Sequence, residues 1–113
     1  MINNQIILYK FIQTNKNVYW YKISYRYKLS ENFIREFKDK VNWFKISKYQ
    51  KLSESFIREF QDKVDWIEIS IYQILSENFI REFQDNVNWE RILENQKLSE
   101  NFKNEFKHKL NDK

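Results

Sequence analysis

The chain has 113 residues and a net charge of +4, with no Cys, no Gly and no Pro. Without Cys there is neither a disulfide framework nor a thiolate metal site, and the composition suits the reducing cytoplasm, which is the predicted location. Without Gly there is no glycine-rich loop for nucleotide phosphates, and no run approaches the roughly 20 apolar residues of a membrane helix. We therefore expect no cofactor, no membrane span and no signal peptide.

A repeat of 23 residues runs through most of the chain. The sequence reads LSENFIREFKDKVNWFKISKYQK at 29–51, LSESFIREFQDKVDWIEISIYQI at 52–74 and LSENFIREFQDNVNWERILENQK at 75–97. Such a fixed period is the signature of stacked units that share one continuous core. We predict a single domain in which these three repeats lie between a degenerate N-terminal repeat or cap at 1–28 and a C-terminal capping helix at 98–113.

Both ends depart from the repeat as capping units do. Residues 18–24 match the equivalent part of the next unit, whereas residues 1–17 match only loosely, through Phe11 and Ile12. Near the other end, Lys103 stands where the three central repeats have Ile. This change predicts a polar outer face for the last unit.

The first half of each repeat carries the start signal of a helix. Ser30 precedes an apolar set that includes Phe33 and Ile34, which share one helix face, so Ser30 is the predicted N-cap. Leu29 and Ile34 have the spacing of a hydrophobic staple. We expect this helix, called helix A, over about 31–40.

Charged side chains four residues apart on helix A predict ion pairs within the helix. The expected pairs are Glu31 with Arg35, Arg35 with Asp39, and Glu36 with Lys40. Because each pair contributes only about 0.2–0.5 kcal/mol, we interpret this charged face mainly as a solvated one.

A second start signal follows twelve residues later in each repeat. An Asn or Asp precedes each Trp, as at Asn42 and Trp43, and the staple spacing returns in Val41 and Ile46. We predict a second helix, helix B, over about 43–51. Helices this short are unstable alone, so packing between neighbouring units must stabilise them.

The predicted fold is all-α: a short right-handed α-solenoid of about five two-helix repeats with capping ends. A leucine-rich-repeat-like β/α solenoid is the alternative, because its period is also 20–29 residues. The segment VDWIEISIYQI, rich in β-branched and aromatic residues, favours that alternative. Its apolar residues do not alternate as a strand requires, which favours helices.

The sequence offers no catalytic constellation. His108 is the single His, and the recurring residues Ser24, Ser47 and Ser70 have no His partner, so we interpret them as small residues that allow close helix packing. Identical units present the same carboxylates repeatedly rather than converging groups with perturbed pKa values. We expect a non-enzymatic protein with no small-molecule ligand and no metal.

Three positions of helix B vary from unit to unit, and we predict that they form the binding surface. They read Tyr21, Lys22, Tyr25, then Phe44, Lys45, Lys48, then Ile67, Glu68, Ile71, then Glu90, Arg91, Glu94. The first and third members lie on one helix side, so stacking aligns them in a ridge. The candidate partner-binding residues are Tyr21, Lys22, Tyr25, Phe44, Lys45, Lys48, Ile67 and Ile71. In the alternative interpretation, these positions form a second buried face between units.

Charge is unevenly distributed along the chain. Residues 1–28 hold five basic and no acidic residues, whereas 52–74 hold two basic and five acidic ones. The basic residues of the first segment are Lys10, Lys16, Lys22, Arg26 and Lys28. Tyr and Trp side chains among them suit base stacking and phosphate neutralisation. A protein partner is the leading expectation, and nucleic-acid binding is the alternative.

The unit LSExFIREFxDKVxWxxISxYQ, found over residues 18–113, resembles a tandem repeat of proteins from AT-rich bacteria, their mobile elements and giant viruses. The resemblance implies no activity and no functional residue. A small repeat protein of this kind also resembles in style the inhibitors that phages and mobile elements direct at host defence, including anti-CRISPR proteins. That analogy implies a protein of the host cytosol whose basic aromatic end occupies a nucleic-acid or protein groove of a host nuclease complex.

Overall fold

The computed structural model describes residues 4–15 and 17–110, and all regular structure within these ranges is helical. The helices are α1 (Asn4–Thr14), α2 (Trp20–Arg26), α3 (Glu31–Glu36), α4 (Trp43–Tyr49), α5 (Glu54–Glu59), α6 (Trp66–Tyr72), α7 (Glu77–Glu82), α8 (Trp89–Asn95), α9 (Glu100–Glu105) and α10 (Lys107–Leu110). In this part of the chain, no helix combines the length and the apolar character needed to span a bilayer.

The helices form a short solenoid, as predicted. Helix A of successive units is α3, α5, α7 and α9, and helix B is α2, α4, α6 and α8, with each helix B packed against the next one. The molecule is elongated, with extents of 54 × 29 × 20 Å and a radius of gyration of 16.6 Å, against roughly 13 Å for a compact chain of this length. The leucine-rich-repeat alternative was wrong, and the right-handed sense stays a prediction.

Both predicted N-caps are confirmed. The Ser30 hydroxyl accepts a hydrogen bond from the Phe33 backbone N–H at 3.0 Å, and the Asn42 side chain accepts one from the Lys45 N–H at 3.0 Å. The other caps are Ser53, Asp65, Ser76, Asn88 and Ser99. A side-chain oxygen at the cap satisfies one of the free N–H groups of a helix start, which is a local interaction.

The helices are shorter than predicted. Helix A of the first full repeat ends at Glu36 because Phe37 leaves the helical conformation, with φ −106° and ψ 30°. A turn follows, closed by hydrogen bonds from the backbone N–H groups of Lys40 and Val41 to the carbonyl of Phe37 at 2.9 and 3.0 Å. This turn connects helix A to helix B within the 23-residue unit.

Aromatic rings continue the core from one unit to the next. The Trp43 ring lies with its centroid 6.2 Å from that of Phe56 and 5.2 Å from that of Phe60, both in the following unit. Trp43 is half-buried and its indole N–H donates to the Lys38 carbonyl at 2.9 Å. The equivalent groups are Trp66 with Phe79 and Phe83, and Trp89 with Phe102 and Phe106.

A buried glutamine joins successive units, which the sequence analysis missed. The amide of Gln50 donates to the carbonyls of Ser24 and Tyr27 at 2.9 and 2.7 Å, and its oxygen accepts from the Leu29 N–H at 2.9 Å. Gln73 and Gln96 make the same three bonds one and two units later. Each glutamine thus satisfies three backbone groups that would otherwise lie unpaired between units.

The recurring serines do more than allow close packing. Ser24 is fully buried, and its hydroxyl accepts from the Asn42 N–H at 2.8 Å while it donates to the Trp20 carbonyl at 2.6 Å. Ser47 and Ser70 accept in the same way from Asp65 and Asn88. The interpretation as small packing residues was therefore incomplete, because the hydroxyl also links helix B to the start of the next helix B.

The ion pairs predicted within helix A form between units instead. Arg35 makes a two-pronged contact with Glu59, with both N–O distances at 2.9 Å, and Glu31 accepts from the N–H and hydroxyl of Ser53 at 2.7 and 3.0 Å. Arg58 with Glu82 and Arg81 with Glu105 repeat the Arg–Glu contact.

Asp39 and Glu36 also contact residues outside their own repeat. Asp39 lies 3.6 Å from the ammonium of Lys63, and Glu36 accepts a hydrogen bond from the Tyr9 hydroxyl at 3.3 Å. For Arg35 and Asp39 the next unit supplies the oppositely charged partner, whereas for Glu36 the partner is the Tyr9 hydroxyl of α1.

The two ends of the described chain differ from the central repeats. At the first end, α1 takes the place of helix A, and the Tyr9 ring packs 5.1 Å from Phe33 and 5.7 Å from Phe37. At the other end, α9 and α10 replace the single capping helix that we expected. The Lys103 ammonium lies 3.7 Å from Glu100, so this position turns to a polar environment.

Candidate binding surface

One side of every helix B is buried and the other faces outward. The buried side carries Ile46 and Ser47 on α4, and the equivalent Ile is fully buried on α6 and α8 as well. The varying positions lie on the outward side, where Tyr21 is 45% exposed, Phe44 41% and Ile67 50%. The interpretation of these side chains as a second buried face does not agree with this exposure.

Aromatic rings surround the side chain of Lys45 on this outward side. Its ammonium lies 4.6 Å from the ring centre of Tyr21, 5.2 Å from Tyr25, 5.5 Å from Phe44 and 5.3 Å from Tyr49. A cation above the face of an aromatic ring is attracted by the ring quadrupole within about 6 Å. Residues from α2 and α4 therefore hold one ammonium group in place.

Lys48 extends this arrangement toward the third unit. Its ammonium lies 5.9 Å from the ring centre of Phe44, 5.2 Å from Tyr49 and 5.5 Å from Tyr72 on α6. We call the combined group the aromatic-lysine cluster. Its members are Tyr21, Tyr25, Phe44, Lys45, Lys48, Tyr49 and Tyr72.

Tyr49 and Tyr72 were missed by the sequence analysis, although they are 51% and 50% exposed. They fall on one repeat position, which Arg26 and Asn95 occupy in the flanking units. The sequence analysis did not include this position among the varying ones. The Arg and Asn found at this position in the flanking units show that it also varies, and this variation could have identified Tyr49 and Tyr72.

The charge of Lys45 is stabilised by its surroundings. A hydrogen bond with the Tyr21 side chain raises the pKa of Lys45, and this effect outweighs partial desolvation, which lowers the pKa. Lys45 is therefore a firmly cationic group that three Tyr rings and one Phe ring keep in a restricted position. Such a group offers an anion a fixed partner at a low cost in side-chain entropy.

A surface cleft of about 350 Å³ adjoins the cluster. Lys48, Tyr49 and Tyr72 belong to both the cleft and the cluster, and Lys51 and Ile74 complete the outer part of the cleft. Ile74 is 89% exposed and stands where the flanking repeats have Lys51 and Lys97. An apolar side chain this exposed extends the apolar character of the outward surface.

The remaining predicted site residues are spread along the same row of helices. Lys22 is exposed on α2 outside the contacts that define the cluster, and Ile71 is half-buried on α6. On α8 the row turns acidic, with Glu90 exposed and Arg91 paired to Glu94 at 2.8 Å. The structure thus brings together five of the eight candidates in one cluster and places the others beside it.

The basic N-terminal segment divides into framework and surface. Trp20 packs on Phe37 with ring centres 5.1 Å apart and belongs to the core, whereas Tyr19 is 66% exposed. Lys16, which the sequence placed among the basic residues of this segment, lies outside the described residues. A separate apolar groove of about 280 Å³ is formed by Ile7, Leu8, Phe11, Ile23 and Tyr27.

Within the described residues, no group of three His, Asp or Glu side chains is arranged to hold a metal ion. His108 is exposed, with its ring 6.4 Å from that of Phe106. The geometry defines a tandem-repeat protein with the fold of a short helical solenoid and an aromatic, cationic cluster on its outer surface. No protein-family model, curated protein or solved structure matches the chain.

Proposed function

We propose that this repeat protein binds a protein partner, without catalysis, through the aromatic-lysine cluster. Five exposed aromatic rings and two lysines on one face support the proposal. Contiguous apolar surface with a polar rim is typical of interaction sites, and Tyr and Phe are enriched at the centre of protein interfaces. A chain that needed only to be a stable rod would gain nothing from keeping these rings in water.

The chemistry of the cluster indicates the chemistry of its partner. Lys45 and Lys48 would pair with carboxylates of the partner. The rings of Tyr21, Phe44 and Tyr49 would pack against its apolar or aromatic side chains. The proposed partner therefore presents an acidic surface with apolar anchors. Complementary charge speeds encounter and selects the partner, and the buried rings supply most of the affinity.

The finer proposal follows the resemblance of the repeat to proteins of mobile elements and giant viruses. We propose that the chain is an inhibitor of a host defence protein, comparable to anti-CRISPR proteins, that acts in the host cytosol by covering a surface of its target. Its rigid row of helices suits this mode, because a preformed surface loses little conformational entropy on binding.

Binding of single-stranded nucleic acid is the second candidate function. Residues 1–51 hold eleven basic and three acidic residues, and the cluster lies within and beside this basic half. Aromatic rings interleaved with cations stack on bases and neutralise phosphates in proteins that bind single strands.

The proposal is tested by replacing the exposed rings. The triple variant Tyr21→Ala, Tyr25→Ala, Phe44→Ala is expected to keep its helical circular dichroism and to lose a protein captured from lysate of the native host. The variant Phe11→Ala, Tyr27→Ala is the matched control, because it removes exposed rings outside the cluster. A protein captured equally by all three forms would overturn the proposed site.

Nuclease treatment and salt separate the two candidate functions. A protein partner is retained after nuclease treatment, and its affinity depends moderately on salt. Nucleic acid recovered alone, with an affinity that falls steeply as salt rises, would establish the second candidate instead, because phosphate neutralisation releases counterions.

A further inference from the structure

The outward surface changes character from one end of the solenoid to the other. On α2 and α4 it is aromatic and cationic, through residues such as Tyr21, Lys45 and Lys48. On α6 it is apolar with one carboxylate, through Ile67, Ile71 and Glu68, and on α8 it carries Glu90, Arg91 and Glu94. The charges follow this division, since residues 1–51 hold eleven basic and three acidic residues, and residues 52–97 hold five basic and ten acidic ones.

We propose that two copies of the chain associate antiparallel through these surfaces and form a two-fold symmetric dimer. Each helix B packs on the next in the order α2, α4, α6, α8. A two-fold axis between α4 and α6 therefore places α4 of one copy opposite α6 of the other, and α2 opposite α8. A surface that meets its own copy in this way must be self-complementary.

The inner contact of this dimer pairs opposite charges and apolar side chains. Lys45 and Lys48 on α4 face Glu68 on α6 of the second copy. Phe44, 41% exposed, faces Ile67, 50% exposed. The symmetry repeats this contact, so the centre of the interface holds two apolar pairs flanked by two sets of opposite charges.

The outer contact is complementary as well. Lys22 on α2 faces the carboxylates of Glu90 and Glu94 on α8 of the second copy. Arg91 of α8 is already paired with Glu94 at 2.8 Å. An exposed ion pair of this kind is free to exchange partners at a small cost.

A second copy fits this surface better in the antiparallel than in the parallel arrangement. Parallel association would set Lys45 against its own copy and Glu90 against its own copy, which is repulsive. A stable interface covers about 800 Å² on each partner, which is about a tenth of the 7856 Å² surface of this chain.

The dimer would cover the aromatic-lysine cluster, so that a partner protein and the second copy compete for it. This competition rests on the proposed function. The dimer itself is independent of that function. Dimerisation buries the rings of the aromatic-lysine cluster. Dissociation of the dimer gives the monomer that can bind the partner protein.

Sedimentation equilibrium of the purified chain at low salt tests the dimer over a broad range of protein concentration. The wild type is expected to associate to a dimer. Lys45→Glu and Glu68→Lys are each expected to weaken dimerisation by about tenfold or more, because each sets like charges opposite one another. The double variant Lys45→Glu, Glu68→Lys restores opposite charges between positions 45 and 68 at both symmetry-related contacts and is expected to dimerise more tightly than either single variant.

Lys40→Glu, a charge change on the turn after helix A, is the matched control and is expected to dimerise like the wild type. Circular dichroism verifies that all variants keep their helices. A wild type that stays monomeric at every concentration, or a double variant no tighter than the single ones, would overturn the antiparallel dimer. Either result leaves the capture of a partner protein by the wild type unaffected, so the two proposals fail separately.

Discussion

The buried side of the helix B row repeats from unit to unit, whereas its outward side varies. On the inner side the same bond recurs with the same length, as in the contacts from the backbone N–H of Leu29, Leu52 and Leu75 to a glutamine oxygen at 2.9, 3.0 and 3.1 Å. On the outer side one repeat position changes from Tyr21 through Phe44 and Ile67 to Glu90. The buried side fixes the backbone, and the chemistry of the outward side is therefore free to change.

Two phenylalanines of neighbouring units give the sharpest test of this contrast. Phe56 is 1% exposed between Trp43 and Phe60, whereas Phe44 lies on the outward surface. Phe56→Ala is expected to lower the free energy of unfolding by about 3–5 kcal/mol, because it leaves a cavity in the shared core. Phe44→Ala is expected to lower it by less than about 1 kcal/mol.

Urea denaturation, followed by tryptophan fluorescence and circular dichroism, measures both changes. Trp43→Ala, which removes the ring that packs on Phe56, should also cost several kcal/mol, on the order of 3. Equal losses for Phe56→Ala and Phe44→Ala would show that the outward side belongs to the core, contrary to the division described above.

Two glutamines, one buried between units and one exposed, test the same contrast for polar side chains. Gln73 is buried and bonds to the Leu52 N–H and to the carbonyls of Ser47 and Gln50. Gln73→Ala leaves these groups without a partner, and we expect unfolding to become easier by about 2–3 kcal/mol.

Gln61→Ala is the matched control for this variant. Gln61 is exposed, and its side-chain amide donates a hydrogen bond to the Arg58 carbonyl at 2.9 Å. Its loss is expected to cost less than about 1 kcal/mol in the same urea titration. A Gln73→Ala chain as stable as the control would mean that water replaces the amide between units at no cost.

The smallest expected effect concerns the row of Arg–Glu contacts. Hydrogen bonds from Arg35, Arg58 and Arg81 lower the pKa of the facing carboxyl groups, Glu59, Glu82 and Glu105. In the folded chain these groups bind protons less readily than in the unfolded chain, so their contribution to stability is complete above the unfolded pKa of about 4.3. It is lost as the pH falls through the lower folded pKa.

Arg58→Gln removes one of these contacts and is expected to make the stability depend less on pH across that acidic range. The change is small because the side chains of Arg58 and Glu82 are 43% and 45% exposed, and water screens them. Thermal unfolding monitored at neutral and acidic pH measures it. A wild type and variant with parallel pH profiles would show that these contacts add nothing to folding.

The sequence predicted most of the fold because the relevant signals are local or periodic. Ser30 and Asn42 cap their helices because each side chain needs only to reach a backbone N–H three residues away. The period likewise predicted stacked units with the Trp and Phe residues in their shared core. The helix ends were less well predicted, since the turn at Phe37 depends on how the two helices pack.

For the candidate surface, the sequence identified the varying positions of helix B but not the geometry around them. Tyr21, Phe44 and Lys45 were identified from their variation between units, whereas Tyr49 and Tyr72 were missed. Their gathering around two lysines depends on the offset between neighbouring helices, which residue spacing does not reveal.

The sequence by itself thus determined the helical class, the period, the helix starts and the apolar positions of the core, because these depend on neighbours within one turn or one repeat. The tertiary structure alone decided the partners of long side chains. Arg35 reaches Glu59 in the next unit rather than Asp39 in its own unit, and Gln50 bonds to the preceding unit. A long side chain bonds to the nearest suitable group in space, and stacking brings a neighbouring unit nearer than the next turn of the same helix.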